Sequence, residues 1–345
     1  MSSSYLFSSR TKLDIAIDAW IYDEMTATEE YGDINTWDVS QVTDFSNLFY
    51  REDFNSDISA WDVSNGTNFS AMFGASSSFN QDISGWDVSN GTNFTYMFYG
   101  ATSFNQDISA WNVGNVSSFY GTFYDATSFN QDISNWNVGN GISFRYMFYN
   151  ASSFNGELSS WDVASGTDFI YMFGAASSFN ADISNWDVGS GQSFDGMFSN
   201  ATSFNQDLSN WDVSNVRNFS SMFGNATSFN QDLSNWDVSN GSNFRNMFYN
   251  ATSFNQNLSL WDVNNSGHLT NMFYNTLAAR KQRLSDTPNV SYFDATTGDD
   301  TITGSDGVND ALRGHDGDDN LSGLSGNDTI FGDNGNDILK GGFGN

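Results

Sequence analysis

Tryptophan recurs at Trp61, Trp86, Trp111, Trp136, Trp161, Trp186, Trp211, Trp236 and Trp261, every 25 residues without drift, and Trp37 opens the series one residue short. A strict repeat of this length confines the chain to copies of one small unit. No copy can bury its own large apolar side chains, so each must stack on its neighbours. With Trp as its first place, the unit reads W-D-V-S-N-G-T-N-F-S-x-M-F-x-x-A-T-S-F-N-Q-D-I-S-x, and ten such units run from Trp37 to about Thr276. The 32 Phe, 14 Tyr and 11 Trp beside a single Pro follow from writing one aromatic unit many times.

Within a unit, Phe94, Met97, Phe98 and Ala101 fall at i, i+3, i+4 and i+7, a spacing that predicts one face of a short helix. The alternation around Trp86 and Val88 predicts a strand, and Asn90-Gly91 a turn between the two. The expected fold is therefore an α/β repeat solenoid of ten strand–turn–helix units over residues 37–276. Residues 1–36 are expected to cap it with a helix from Ser9 to about Glu30, carrying Leu13, Ile17, Trp20 and Ile21 on one stripe and stopped by Gly32. Residues 277–293 read as a C-terminal cap and linker. Leu277–Leu284 extends the last helix, Arg280, Lys281 and Arg283 suit its end, and Pro288 marks the boundary.

The chain carries 11 Lys+Arg against 41 Asp+Glu, a net charge of −30. That balance argues against nucleic acid and against anionic membrane surfaces as partners. No apolar run is long enough to span a membrane, and Met1 to Trp20 lacks the pattern of a cleaved signal peptide. Without Cys there is neither disulfide nor thiol chemistry. His268 and His315 stand alone, far apart in sequence, so no catalytic triad or histidine metal pair can be built and no enzyme is expected.

Ladders of identical residues run along the repeat. The twentieth place is Asn wherever it occurs, as in Asn80, Asn105, Asn130 and Asn205, which predicts buried amides satisfying backbone groups turn on turn. Acids fill the second place (Asp62, Asp87, Asp162 and their equivalents) and the twenty-second (Asp57, Asp82, Asp107, Asp132). Like charges about 5 Å apart repel by roughly 3 kcal/mol at an effective dielectric near 20. Turn N–H and hydroxyl donors are the expected compensation, bound cations the alternative. Tyr96, Tyr99, Tyr124, Tyr146, Tyr149 and Tyr171 sit at the eleventh and fourteenth places, off the apolar stripe. They read either as a partly exposed strip for a sugar or protein partner, or as packing between turns.

The unit W-D-V-S-N-x-T-N-F-x-x-M-F with A-T-S-F-N-Q-D-I-S resembles the 25-residue repeat of BspA-like leucine-rich-repeat surface proteins, over Ser9 to about Thr276. The resemblance implies a leucine-rich-repeat-like solenoid carried outside the cell for adhesion or display, without catalytic activity. The sequence departs from that pattern in Gly at the sixth place (Gly66, Gly91, Gly141, Gly166, Gly191, Gly241) and Phe at the ninth.

From Asp294 to Asn345 the composition changes, with 11 Asp facing only Arg313 and Lys340. The stretch G-H-D-G-D-D-N-L-S, G-L-S-G-N-D-T-I-F, G-D-N-G-N-D-I-L-K has period nine and resembles the RTX, or hemolysin-type, calcium-binding nonapeptide. Asp300, Asp310, Asp319, Asp328 and Asp337 take the acidic place, Ile302, Leu312, Leu321, Ile330 and Leu339 the apolar one. Ca²⁺ takes six to eight carboxylate and carbonyl oxygens, which Asp and Gly-bounded backbone supply. The resemblance implies a parallel β-roll over residues 294–345, with Ca²⁺ as cofactor and ligands paired two units apart, Asp310 with Asp328 and Asp319 with Asp337. One extra residue between Gly304 and Gly314 is expected to distort that unit's site. The resemblance further implies type I secretion to the exterior or surface of a bacterium, and the stop at Asn345 suggests a fragment of a longer protein.

The leading functional expectation is a secreted or surface binding protein, adhesin-like. The rival is a calcium-dependent structural protein that assembles with itself into a layer or filament. An ice-binding array is disfavoured, because Thr102 is followed two places on by Phe104 instead of a second Thr.

Overall fold

The structure is a computed structural model that describes residues 5–258, 260–263, 266–276, 290–295, 298–304, 306–307 and 309–344. It comprises two compact units, Met1–Ala181 and Asp182–Asn345. The expected cap extension from Leu277 to Leu284, with Arg280, Lys281, Arg283 and Pro288, lies outside the described residues.

The N-terminal segment forms two helices where one is expected. Helix α1, Arg10–Tyr22, starts at Ser9, whose hydroxyl accepts the Lys12 N–H. It stops at Asp23, whose extended backbone cannot continue a helix and whose carboxylate instead caps α2, Glu24–Tyr31. Gly32, at φ 81°, ends α2. Leu13, Ala16, Ile17 and Trp20 are buried, whereas Ile21 is exposed, so the apolar stripe is narrower than the sequence suggests. The segment covers the first turn of the repeat. The Trp20 ring meets Trp37 edge-on at 5.8 Å, and the Phe7 N–H donates to the Asp38 carbonyl at 2.9 Å.

The strand–turn–helix unit expected from the spacing of Phe94, Met97, Phe98 and Ala101, and the leucine-rich-repeat-like solenoid built from it, are overturned. Among the described residues the repeats contain no α-helix and no continuous strand, only turns and isolated parallel bridges such as Asn68↔Asn93↔Ser118↔Ser143. The physical reason lies in the backbone hydrogen bonds of Phe94 to Ala101. The N–H groups of Tyr96, Phe98 and Gly100 donate to the carbonyls of Tyr120, Thr122 and Tyr124 in the following turn, at 2.8, 2.9 and 2.7 Å. The intervening Met97, Tyr99 and Ala101 donate three residues back, to Phe94, Tyr96 and Phe98. Every second donor is thus spent on the next turn of the chain, which an α-helix cannot allow. Tyr96 (φ 58°) and Gly100 (φ 64°) adopt the left-handed conformation that makes this alternation possible.

The stripe read as helical is nonetheless the core: Phe94, Met97, Phe98 and Ala101 are fully buried. Thirteenth-place rings stack turn on turn, Phe98 on Phe123 and Phe123 on Phe148, at 5.6 and 5.5 Å. Each also lies nearly flat on the nineteenth-place ring of its own turn, as Phe98 does on Phe104 at 4.0 Å. Sixth-place Gly leaves room for the ring of the Phe three places on, which lies against it. A Cβ on Gly91 would stand 2.8 Å from the Phe94 ring, and on Gly241 it would strike Phe244.

The tail is strand-built. Strands β1 (Val290–Asp294), β3 (Asn309–Arg313) and β5 (Thr329–Phe331) form one parallel sheet. Strands β2 (Thr301–Thr303), β4 (Asn320–Ser322) and β6 (Ile338–Lys340) form the other. Their registers place Leu312 against Ile330, and Ile302, Leu321 and Leu339 in one file. Ala295, Ile302, Leu312 and Leu321 make a small core with Ile330 packed against it. Leu339 and Ile338 are exposed.

Candidate functional site

The side-chain ladders of the repeat are structural. The amide oxygen of Asn105 accepts the Asn130 N–H at 2.9 Å and the Gln131 amide at 3.0 Å, and the pattern runs from Asn55 to Asn180 in one unit. It recurs from Asn205 to Asn255 in the other. These asparagines are half-buried or exposed, so the ladder lies at the surface and not inside as expected. The acid ladders cap turns: Asp107 accepts the Ser109 N–H at 2.9 Å and Asp87 the Ser89 N–H at 3.0 Å. The Ser109 N–H and hydroxyl hold the Asp107 carboxyl below its ordinary range, outweighing repulsion from Asp132 and Asp82. Asn112 and Asn137 do the same work uncharged, each accepting the N–H two residues on. The donors expected from turn chemistry are therefore in place.

The tyrosines are brought together. Asn47, Tyr50, Ala71 and the six strip residues line one groove of about 650 Å³ in the first unit. Tyr124 stacks on Tyr149 at 4.7 Å, Tyr146 on Tyr171 at 5.6 Å, and Tyr96 meets Tyr120 edge-on at 4.9 Å. All are half-buried. The sequence reading missed Tyr50, at the fourteenth place of the first unit, which lines the groove, and Tyr120, at the tenth place, which packs against Tyr96. Burial, and secondarily Asp125, pushes the Tyr124 phenol up to about 12. Burial and the hydrogen bond with Tyr120 raise that of Tyr96 further still.

The backbone under the strip is informative. The eleventh place is left-handed in every turn, and Gly121, Gly196, Asn246 and Asn271 are the residue types that this conformation favours. Tyr96, Tyr146 and Tyr171 hold it at φ 58°, 56° and 51°. A bulky residue there costs about 1–2 kcal/mol. Two guanidinium groups meet the strip's edge. Arg51 lies over the Tyr50 ring and Arg145 over Tyr146, both 5.1 Å from the centroid.

In the tail, acidic residues two nonapeptides apart meet. The Asp310 N–H donates to the Asp328 carboxylate at 2.8 Å and the Asp319 N–H to that of Asp337 at 3.0 Å. The Asp300 N–H donates to Asp319 at 2.8 Å across 19 residues instead of 18. The extra residue is thus absorbed without losing the contact. Asp300, Asp310 and Asp319 are buried, Asp328 and Asp337 half-buried. Burial chiefly, with Asp300, Asp337 and Asp299 nearby, pushes the Asp319 carboxyl above its ordinary range. The Oδ2 atoms of Asp319 and Asp328 are buried without a hydrogen-bond partner. A Cβ on Gly314, Gly323 or Gly332 would collide with the carboxylate of Asp319, Asp328 or Asp337, and a Cβ on Gly314 would also stand 2.7 Å from the Gly332 carbonyl oxygen. Buried carboxylates beside close carbonyls, in room only Gly leaves, form the all-oxygen donor set that suits Ca²⁺. Among the described residues no three acidic or histidine side chains converge, so backbone carbonyls would complete any such set.

His315 packs edge-on against Tyr274 at 4.2 Å, and Asp333 is tied to Arg313 at 2.6 Å, which holds the Asp333 carboxyl below its ordinary range. Among the described residues no helix is long and apolar enough to cross a membrane.

Residues 19–136, 115–200 and 182–286 match the family model described as Mycoplasma protein of unknown function, DUF285. Residues 292–311 and 313–345 match that of the RTX calcium-binding nonapeptide repeat. No curated protein and no solved structure matches the chain. By the span of the first match the chain belongs to the DUF285 family, and by the second it carries calcium-binding RTX repeats.

Proposed function

We propose that the chain is a non-enzymatic binding protein of the bacterial surface or exterior, adhesin-like, whose tyrosine groove engages an extracellular protein or glycan. The observation that carries this reading is the set of tyrosines at left-handed positions. At the eleventh place Gly or Asn would serve the backbone better, yet Tyr96, Tyr146 and Tyr171 stand there with rings half-exposed in a common groove. Strain of this kind, kept where the fold does not require it, is characteristic of functional surfaces. Half-exposed aromatic rings on an acidic, polar chain are a natural contact area.

The tail serves this role as a calcium-folded segment, with Asp300, Asp310, Asp319, Asp328 and Asp337 as carboxylate ligands. Type I secretion is the route that such repeats suggest. Calcium at extracellular concentration would order the tail after export, when metal binding and folding become one event. Adhesion of cells or beads coated with the calcium-loaded protein tests the reading. Replacing Tyr96, Tyr124, Tyr146 and Tyr149 by Ser should abolish adhesion to host matrix and glycan surfaces. Unchanged adhesion by a folded variant would overturn it.

A further inference from the structure

Resting on that reading, we infer that the groove selects arginine-bearing segments of a protein partner. Three observations converge. The chain has only 11 basic residues, yet two of its arginines, Arg51 and Arg145, lie over Tyr50 and Tyr146 of this groove or its edge. In both pairs the guanidinium group of a sequence neighbour rests on a ring face, which shows the geometry such a contact takes here. The rings of Tyr96 and Tyr124 line the groove half-exposed, and their phenols are neutral near pH 7 as any phenol is, so the faces offer quadrupole attraction to a cation. The net charge of −30 favours a cationic visitor over anionic glycans, and Asp125, beside Tyr124, adds a local carboxylate. Neutral sugars could stack on the same rings, but nothing in the groove selects them by charge. Arginine surpasses lysine here because its planar group stacks on a ring while its edge donates hydrogen bonds.

The test uses the full chain saturated with calcium and a fluorescein-labelled peptide of alternating Gly and Arg, followed by fluorescence anisotropy. A matched peptide with citrulline, the uncharged isostere of Arg, controls for shape. The double variant Tyr124→Ser/Tyr149→Ser should weaken binding about tenfold or more, as loss of two cation–ring contacts implies. Tyr124→Phe/Tyr149→Phe, which keeps both rings, should bind within about twofold of the parent, and Tyr249→Ser, outside the groove, should change nothing. The citrulline peptide should bind at least about tenfold more weakly than the Arg peptide. Equal binding by the Ser double variant would show attraction to the overall charge alone and overturn the inference, as would equal binding of citrulline. A neutral β-glucan oligosaccharide is the second arm. If it binds in a Tyr-dependent way and the Arg peptide does not, the groove remains a partner site and only the arginine assignment falls. If neither probe responds to the tyrosines, the assignment and the underlying reading fall together.

Discussion

The indole N–H of Trp136 donates at 3.0 Å to the backbone carbonyl of Ile108, 28 residues earlier. That carbonyl also accepts the backbone N–H of Trp111 at 3.1 Å, so one oxygen joins its own turn to the next. The same bond recurs from Trp61 to Trp161 and from Trp211 to Trp261. Replacing Trp136 by Phe keeps an aromatic ring but removes the donor, and should destabilise by about 1–2 kcal/mol. Trp136→Ala adds a cavity and should cost about 3–5 kcal/mol. Urea midpoints measure both; equal losses for the two variants would mean that the bond contributes nothing beyond the ring.

The asparagine ladder predicts a difference between two substitutions at one position. Asn105→Ala leaves the Asn130 N–H without its acceptor, at a cost of about 1–3 kcal/mol, while the Gln131 amide keeps the Asn105 backbone carbonyl at 2.9 Å. Asn105→Asp retains an acceptor oxygen and should cost less at pH 7. If thermal unfolding ranks Asp as the worse replacement, amide acceptance is not what the ladder supplies.

Acid should loosen the repeats in a defined window. Asp82, Asp107, Asp132, Asp182, Asp212 and Asp237 are held below the ordinary carboxylate range by serine donors. Depressed folded-state pKa values contribute stability that is fully present above the unfolded value and is lost as pH falls through the folded one. The melting temperature should therefore hold from pH 7 to about 5 and fall below about 4. Each site is largely exposed, so single effects are small and the sum is what a pH series detects. A melting temperature that rises on going from pH 5 to pH 3 would contradict this sign. Asp319 works in the opposite sense, since its raised pKa disfavours the metal-free folded tail as it ionises.

Calcium should protect the tail and little else. Hydrogen exchange on the full chain should slow across Thr301–Lys340 in millimolar Ca²⁺ but not in Mg²⁺, whose small octahedral shell suits a wide, carbonyl-rich site poorly. Gly323→Ala places a methyl group against the Asp328 carboxylate and should abolish much of that protection. Full protection in this variant would remove Asp328 from the ligand set.

Much of the packing was legible in the sequence, and the backbone was not. Phe94, Met97, Phe98 and Ala101 are buried as their spacing suggests, but that spacing arises equally from a chain of turns that alternates left-handed residues with inward ones. Tyr96, Ala71 and Ser221 conceal the left-handed column because their side chains do not announce it. Gly121, Gly196, Asn246 and Asn271, in the same column, carried the signal. In the tail, the contacts of Asp310 with Asp328 and of Asp319 with Asp337 follow the expected pairing. There, one Asp per nine residues sets the register. The tyrosine strip could be located in the sequence, but its curvature into a groove depends on turn geometry that residue types do not encode.

Within each unit, every ladder bond reaches only the adjoining turn, as from Asn105 to Asn80 and from Trp136 to Ile108. Removing a whole turn would return each donor to an acceptor of the same kind, whereas removing one residue would misalign indole, amide and ring files together. Such a chain can change its length over generations only in steps of one complete link, and it can widen or narrow its tyrosine groove by the same arithmetic.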